Sequence, residues 1–214
     1  MSLYSIDNIV SDVRIAINEN ISSSEALDID IDNLELEEII KQKILEAIQL
    51  VNETAPSYLI KGKKIGATPI KNQDGSGYII LPDDFMRLIM FKMDGWKRPV
   101  TYAMQDSSPD YILQKNKYVR GGIDKPKCAI TTGINGEKIL EYYSLPGSVS
   151  THIITHDFYV PYPCVTDNQT EISPNLYRAV IYVTASLTMT ALEKTEYANY
   201  FMELSKMFMN GSIQ

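Results

Sequence analysis

The chain is poor in the residues that carry most protein chemistry. Among 214 residues it holds two cysteines, two histidines and one tryptophan. Cys128 and Cys164 lie far apart and show no metal-ligand spacing, so neither a disulfide framework nor a zinc ribbon is expected. A reducing cytosol suits such a chain best. The G-x-S-x-G elbow of serine hydrolases is absent. Gly62-Lys63-Lys64 lacks the glycine and Ser/Thr spacing of a phosphate-cradling loop. Basic charge is short as well: 20 Lys/Arg stand against 27 Asp/Glu, a net charge of −7. Gripping nucleic-acid phosphates needs a basic footprint, so that class is disfavoured. Lys61, Lys63, Lys64 and the pair Lys97-Arg98 read as solvated faces. The longest uncharged apolar run, Ala179 to Leu192, is too short to span a bilayer and reads as a buried helix. No membrane association is expected. Met1 to Asp7 has neither the basic nor the apolar region of a secretory signal, so none is expected.

What is present is a hydrophobic fraction of 44% and fourteen tyrosines. This length supports one domain, or one domain with an insertion, whose core needs no staple. Acidity is concentrated at the start: residues 1–56 hold 12 Asp/Glu against 3 Lys/Arg, and the remainder is slightly basic.

Ile6, Ile9, Val10, Val13 and Ile17 recur at helical spacing, predicting an amphipathic helix over 5–18. An acidic linker, Asp28 to Asn33, follows. A calcium loop starting at Asp28 would need Gly at position 33 and Glu at position 39, where Asn33 and Ile39 stand. The linker therefore reads as acidic chain whose last member, Asp32, caps the next helix, with Glu35 as capping-box partner. That helix carries Leu36, Ile40, Ile44, Ala47, Val51 and Ala55 on one face. Glu35, Glu38, Gln42, Glu46, Gln49 and Glu53 lie on the other, until Pro56.

Residues 57–165 are rich in strand and turn signals. Candidate strands are 57–60, 65–70, 77–81, 88–93, 100–104, 127–132, 138–144 and 153–160, with a short helix at 109–117. Ser173-Pro174 predicts an N-cap followed by Pro at the first helical position, and Leu176, Val180, Val183, Leu187 and Ala191 continue the helix. Glu193-Lys194-Thr195 marks a short break. Tyr197, Phe201, Leu204 and Phe208 form a last stripe that Gly211 stops. The expected class is α+β. Helices of 1–56 and 173–214 form one helical bundle, and a β-rich middle, 57–172, is inserted between them.

Few residues invite a chemical reading. His152 and His156 stand four apart, and with Cys164 they define the alternative to a structural role: a small metal-dependent or thiol hydrolase. In a strand their side chains would sit about 13 Å apart, too far for one metal. The Asp83-Asp84 pair after Pro82 reads as a turn cap. No cofactor and no enzymatic activity are expected.

One stretch stands out by its pattern. Tyr78-Ile79-Ile80-Leu81-Pro82-Asp83-Asp84-Phe85-Met86-Arg87-Leu88 resembles the strand, Leu-Pro, acidic, aromatic, Arg-Leu segment of bacteriophage head-to-tail adaptor proteins. Gly95-Trp96-Lys97-Arg98-Pro99-Val100 is similar to the hairpin return that follows it. Ser173-Pro174 and the helical segment through Tyr197-Ala198-Asn199-Tyr200-Phe201 resemble the last helices of those proteins. The chain thus resembles neck ring proteins of short-tailed phages, including crAss-like phages and the tail tubular protein A group. The acidic linker has no counterpart in that pattern.

The resemblance implies a structural virion protein. Copies would form a homo-oligomeric ring, dodecameric in the family, under the portal protein. The ring would extend the DNA channel and present a platform to other neck or tail proteins. The expected location is the virion neck, with assembly in host cytoplasm. Packaged double-stranded DNA would touch the ring only transiently and without specificity. In such a ring Phe85, Trp96, Tyr159 and Tyr162 are the candidate subunit-interface aromatics. The face bearing Glu35, Glu38, Glu46 and Glu53 is either a phosphate-repelling channel lining or a solvated outer face.

Overall fold

The computed structural model describes residues 1–20, 33–72, 74–145 and 151–210. The class is mixed α+β. The chain divides into two compact units, one formed by Met1–Lys61 with Tyr162–Gln214, the other by Gly62–Pro161. The first carries 17 Asp/Glu and 7 Lys/Arg, the second 10 and 13. The net charges are therefore −10 and +3.

In the first unit, strand β1 (Ser2–Ser5) leads directly into helix α1 (Ile6–Asn20). Helix α2 is Asn33–Thr54, and a 3-10 turn, Ser57–Leu59, follows where a strand was expected. Pro56 and the turn's own hydrogen bonds (Leu59 N to Pro56 O, 3.0 Å) account for the difference. Asp28 to Asp32 and Gly211, expected to cap and stop helices, lie outside the described residues.

Strands β10 (Val165–Thr166) and β11 (Gln169–Ile172) form a hairpin, and β1 pairs antiparallel with β11. The turn, Asp167-Asn168, has both φ positive (52° and 58°), the primed geometry that matches strand twist. Ser173 takes the N-cap position with Pro174 next to it, as expected, but of a 3-10 turn, and its side chain makes no capping bond. Its hydroxyl accepts the Lys61 amide at 3.0 Å, and Pro174–Leu176 winds as a 3-10 turn before α4 (Tyr177–Ala191).

Helix α4 packs against α1, α2 and α5 (Thr195–Met209). It is buried on most sides, from Ala179 through Met189, as a central helix must be. Its hydroxyls are satisfied internally: Thr184, Thr188 and Thr190 each donate to the carbonyl four residues back, at 2.8–2.9 Å. Ser186 donates instead to Ala198 O at 2.7 Å, tying α4 to α5. Glu193, at φ +60°, makes the expected break between the two helices.

In the second unit, β3 (Ile70–Lys71), β4 (Gly77–Ile80), β8 (Lys138–Tyr142), β7 (Cys128–Thr132) and β6 (Met104–Gln105) form a sheet in that order. Strands β2 (Lys63–Lys64), β9 (Ile154–Pro161) and β5 (Phe85–Met93) form another. The expected strand at 65–70 is not formed beyond Ile70, because Gly66 sits at φ +66° and Pro69 has no N–H to pair. The expected strand at 100–104 shrinks to Met104–Gln105, with Val100 held only by a bridge to Phe91.

The two apolar runs around Pro82 therefore join different sheets, β4 in one and β5 in the other, and are not a hairpin. Their shared core contains Ile79, Leu81, Phe85, Leu88, Phe91, Met93, Trp96, Leu140, Tyr142 and Tyr159. Phe91 is at its centre, edge-on to Trp96 (5.8 Å) and tilted against Tyr142 (6.1 Å). A Cβ on Gly77 would collide with the Tyr142 ring, so this glycine is what lets the ring close over β4.

Candidate functional site

Helix α2 sorts its residues as its periodicity requires. Ile40, Ile44, Ala47, Ile48 and Val51 are fully buried, and Glu35, Glu38, Glu46 and Glu53 are exposed. These four carboxylates run along about 27 Å of one helix face. Two have close polar neighbours on the helix: Lys43 Nζ lies 2.9 Å from Glu46, and Gln49 donates to Glu53 at 2.9 Å. Exposed pairs of this kind contribute little to stability, about 0.5 kcal/mol or less. Glu37, to one side of the stripe, makes the tertiary contact, pairing with Arg14 of α1 at 2.5 Å.

Three of the four expected interface aromatics are placed in the core. Phe85 stacks on Tyr159 at 5.7 Å, Tyr159 donates to Asp84 Oδ1 at 2.8 Å, and Trp96 packs on Phe91. All three are buried inside their own unit. Tyr162, 42% exposed, remains a candidate. Periodicity could not separate these roles, because an aromatic residue beside a turn suits a core corner and an interface equally.

The histidines do not converge. His152 precedes β9 and meets the Tyr142 hydroxyl through Nδ1 at 2.7 Å, while His156 lies within β9 with Thr155 Oγ1 3.3 Å from its Nδ1. Partial burial, with Lys71 nearby, lowers the His152 pKa. Burial also raises the Tyr142 hydroxyl, so both groups are neutral at physiological pH. Cys164 is exposed in the other unit, and Cys128 is buried with its thiol pushed well up by desolvation. Among the described residues, no three His, Cys, Asp or Glu side chains gather as a metal site.

The polar cluster that does form was not foreseen. Glu141, facing out of β8, accepts from Tyr111 (3.1 Å), Tyr143 and Lys115 (2.9 Å). The Lys115 ammonium also lies 4.6 Å from the Tyr111 ring centroid. Burial disfavours the Lys115 charge, but Tyr111 and Glu141 outweigh it and its pKa rises. Burial and Glu141 likewise raise Tyr143. Next to it, Arg120 pairs with Asp74 at 2.8 Å, and Gln114 Oε1 accepts the Gly121 amide. Asp74, held by Ser76 and then Arg120, has its pKa lowered to about 2.

Together these bonds strap helix α3 (Pro109–Gln114) and the following loop onto the five-stranded sheet. Every acceptor is matched to a donor at short range, an arrangement suited to fixing a loop. Its only sequence trace is the i, i+2 placement of Glu141 in β8 and Tyr143 just past its end, the spacing that puts side chains of extended chain on one side. Among the described residues no helix is long and apolar enough to cross a membrane. The chain matches no protein-family model and no curated protein.

Proposed function

We propose that the chain is a structural subunit of a bacteriophage head-to-tail connector. In this reading, helices from both chain ends make one bundle with a β-rich insertion. Copies close into a dodecameric ring below the portal protein, head-to-tail around the channel axis. The ring extends the DNA channel and carries other neck or tail proteins. The observation that carries the reading is the Tyr78–Val100 stretch. Its resemblance to adaptor proteins falls on residues that build architecture: Leu81, Phe85 and Trp96 are core, and Pro82 accepts the Phe85 amide to turn the chain. A segment that resembles a family through its turns and core anchors fits a protein whose product is an assembly.

The exposed carboxylate face of α2 supports the channel-lining role. A wall of negative charge keeps DNA phosphates from sticking as they pass. The test is the composition of purified virions. Quantitative mass spectrometry is expected to find the chain in fixed proportion to the portal protein. Its absence from virions, with the portal present, overturns the reading.

A further inference from the structure

The positive excess of the second unit is gathered in one stretch. Residues 115–127 hold five Lys/Arg and one Asp, a net charge of +4 in a unit whose total is +3. Lys115 is held by Glu141, Arg120 by Asp74, and Asp124 is taken by Lys97. That leaves Lys117, Lys125 and Lys127. All three are exposed, and none has a carboxylate partner among the described residues.

An apolar surface accompanies the charge. Ile112, Leu113, Tyr118 and Val119 are exposed, Ile112 by 73% and Tyr118 by 84%. They lie on consecutive turns, with Lys115 N donating to Ile112 O and Arg120 N to Asn116 O. The residues interleaved with them, Tyr111, Gln114, Lys115 and Arg120, make the bonds that strap this segment down. The strap therefore fixes the segment and leaves its apolar side chains exposed. Four such side chains within eight positions form the kind of patch that marks an interaction site. A patch fixed before contact loses little conformational entropy on binding. Beside it is a cleft of about 670 Å³, lined in part by Lys117, Tyr118, Ile123 and Leu145, with room for a large side chain.

An occupant must offer carboxylates and apolar side chains together. The helical unit has a net charge of −10, but α2, for all its glutamates, exposes no large apolar side chain among its described residues. Helix α5 offers both. Glu196, Tyr200, Glu203 and Met207 follow at i, i+4, i+7 and i+11, one line along about 16 Å of helix. All four are exposed, Tyr200 and Met207 by about half. Lys206 pairs with Glu203 at 2.6 Å, an exposed pair too weak to withhold that carboxylate from a new partner.

We propose that the 112–127 surface of one copy docks on the 196–207 face of α5 in a second copy. Lys117, Lys125 and Lys127 meet Glu196 and Glu203, and Leu113 and Tyr118 pack with Tyr200 and Met207. The two surfaces differ, so the contact is heterologous and passes from copy to copy. It requires a second copy but no phage origin, so it stands or falls separately from the connector reading.

The test is carbodiimide coupling, which joins a lysine amine to a carboxylate in direct contact. Isotope-labelled and unlabelled full chains are mixed equally at about 1 mM, where even a millimolar contact is substantially populated. Mass spectrometry is expected to find mixed-isotope peptide pairs joining Lys117, Lys125 or Lys127 to Glu196 or Glu203. Their yield should be about tenfold above that of links from the same lysines to Glu38, Glu46 or Glu53 of α2. Leu113→Ser with Tyr118→Ser keeps every charge and should lower the yield about tenfold. Lys117→Glu with Lys125→Glu should abolish it, as should Glu196→Lys with Glu203→Lys in a separate chain, and mixing those two chains should restore a mixed dimer. These positions are exposed, so Trp96 fluorescence and helical signal should not change in any variant. Equal links to α2, links only within one chain, no links, or a yield that survives Leu113→Ser with Tyr118→Ser overturns the proposal. So does retention of a short DNA duplex that Lys117→Glu with Lys125→Glu removes, without copy-to-copy links, which assigns the surface to DNA. A ring that forms on the portal without these links overturns this contact and leaves the connector reading intact. Links in a chain absent from virions do the reverse.

Discussion

The two units solve the problem of a stable core in opposite ways. The first is helical, carries a net charge of −10, and buries aliphatic side chains and threonine hydroxyls that bond within their own helix. The second is β-rich, carries +3, and centres on aromatic rings brought together from β5, β8, β9 and the Trp96 turn. The helical unit is made of two chain segments separated by the whole of the β unit, so ordering it means closing that long loop. The β unit is continuous in sequence. Its own core should therefore hold without the helices, while the helices depend on both chain ends being present. The only tryptophan lies in the β unit and most helix in the other, so fluorescence and far-ultraviolet circular dichroism report on the two separately.

The largest effect should come from the aromatic centre. Phe91→Ala empties a fully buried site and should cost about 3–5 kcal/mol. The Trp96 fluorescence transition should move to much lower denaturant while most helical signal persists. A single shared transition would break the comparison. Ser186→Ala should do the reverse on a smaller scale. Loss of its bond to Ala198 O should cost about 1 kcal/mol, lowering the helical transition and leaving the fluorescence one in place.

A third effect depends on pH. The Asp74 pKa is lowered from 3.8 to about 2, so its carboxylate stabilises the β unit above pH 3.8 and that contribution is lost as pH falls towards 2. Acid titration followed by Trp96 fluorescence should show this loss, and Asp74→Asn should flatten it. An unchanged titration would mean that the Ser76 and Arg120 bonds do not hold this carboxylate. The smallest effect on folding should come from Glu38→Gln, Glu46→Gln and Glu53→Gln together, which remove exposed charge and should leave both transitions in place. In assembled particles the same triple variant should alter DNA retention or ejection. Unchanged behaviour would assign the acidic stripe to a solvated outer face.

Legibility in the sequence differed between the units for physical reasons. The faces of α1, α2 and α5 follow from a 3.6-residue period that local chemistry enforces, and the α4–α5 break at Glu193 was visible beside it. The Ser173 N-cap position was legible, but the engagement of its hydroxyl by the Lys61 amide was not, because Lys61 is distant in sequence. Strand β1 has no local signal, because its partner β11 lies at the other end of the protein. The β10–β11 hairpin did leave a signal, Asp167-Asn168, a pair that tolerates positive φ. Around Pro82 the strands were legible but their pairing was not, since sheet membership is decided by partners such as Tyr142 and Tyr159. Among candidate site residues, the exposure of the Glu35–Glu53 face followed directly from period. The core placement of Phe85, Trp96 and Tyr159 depended on tertiary contacts that period does not encode.

The central claim, that this chain is a connector ring subunit, is tested most directly by electron microscopy of the purified protein mixed with portal rings encoded by the same genome. The account predicts an added ring of density on one end of the portal, coaxial with its channel. Portal rings that stay bare, beside a protein that remains strictly monomeric, would contradict it.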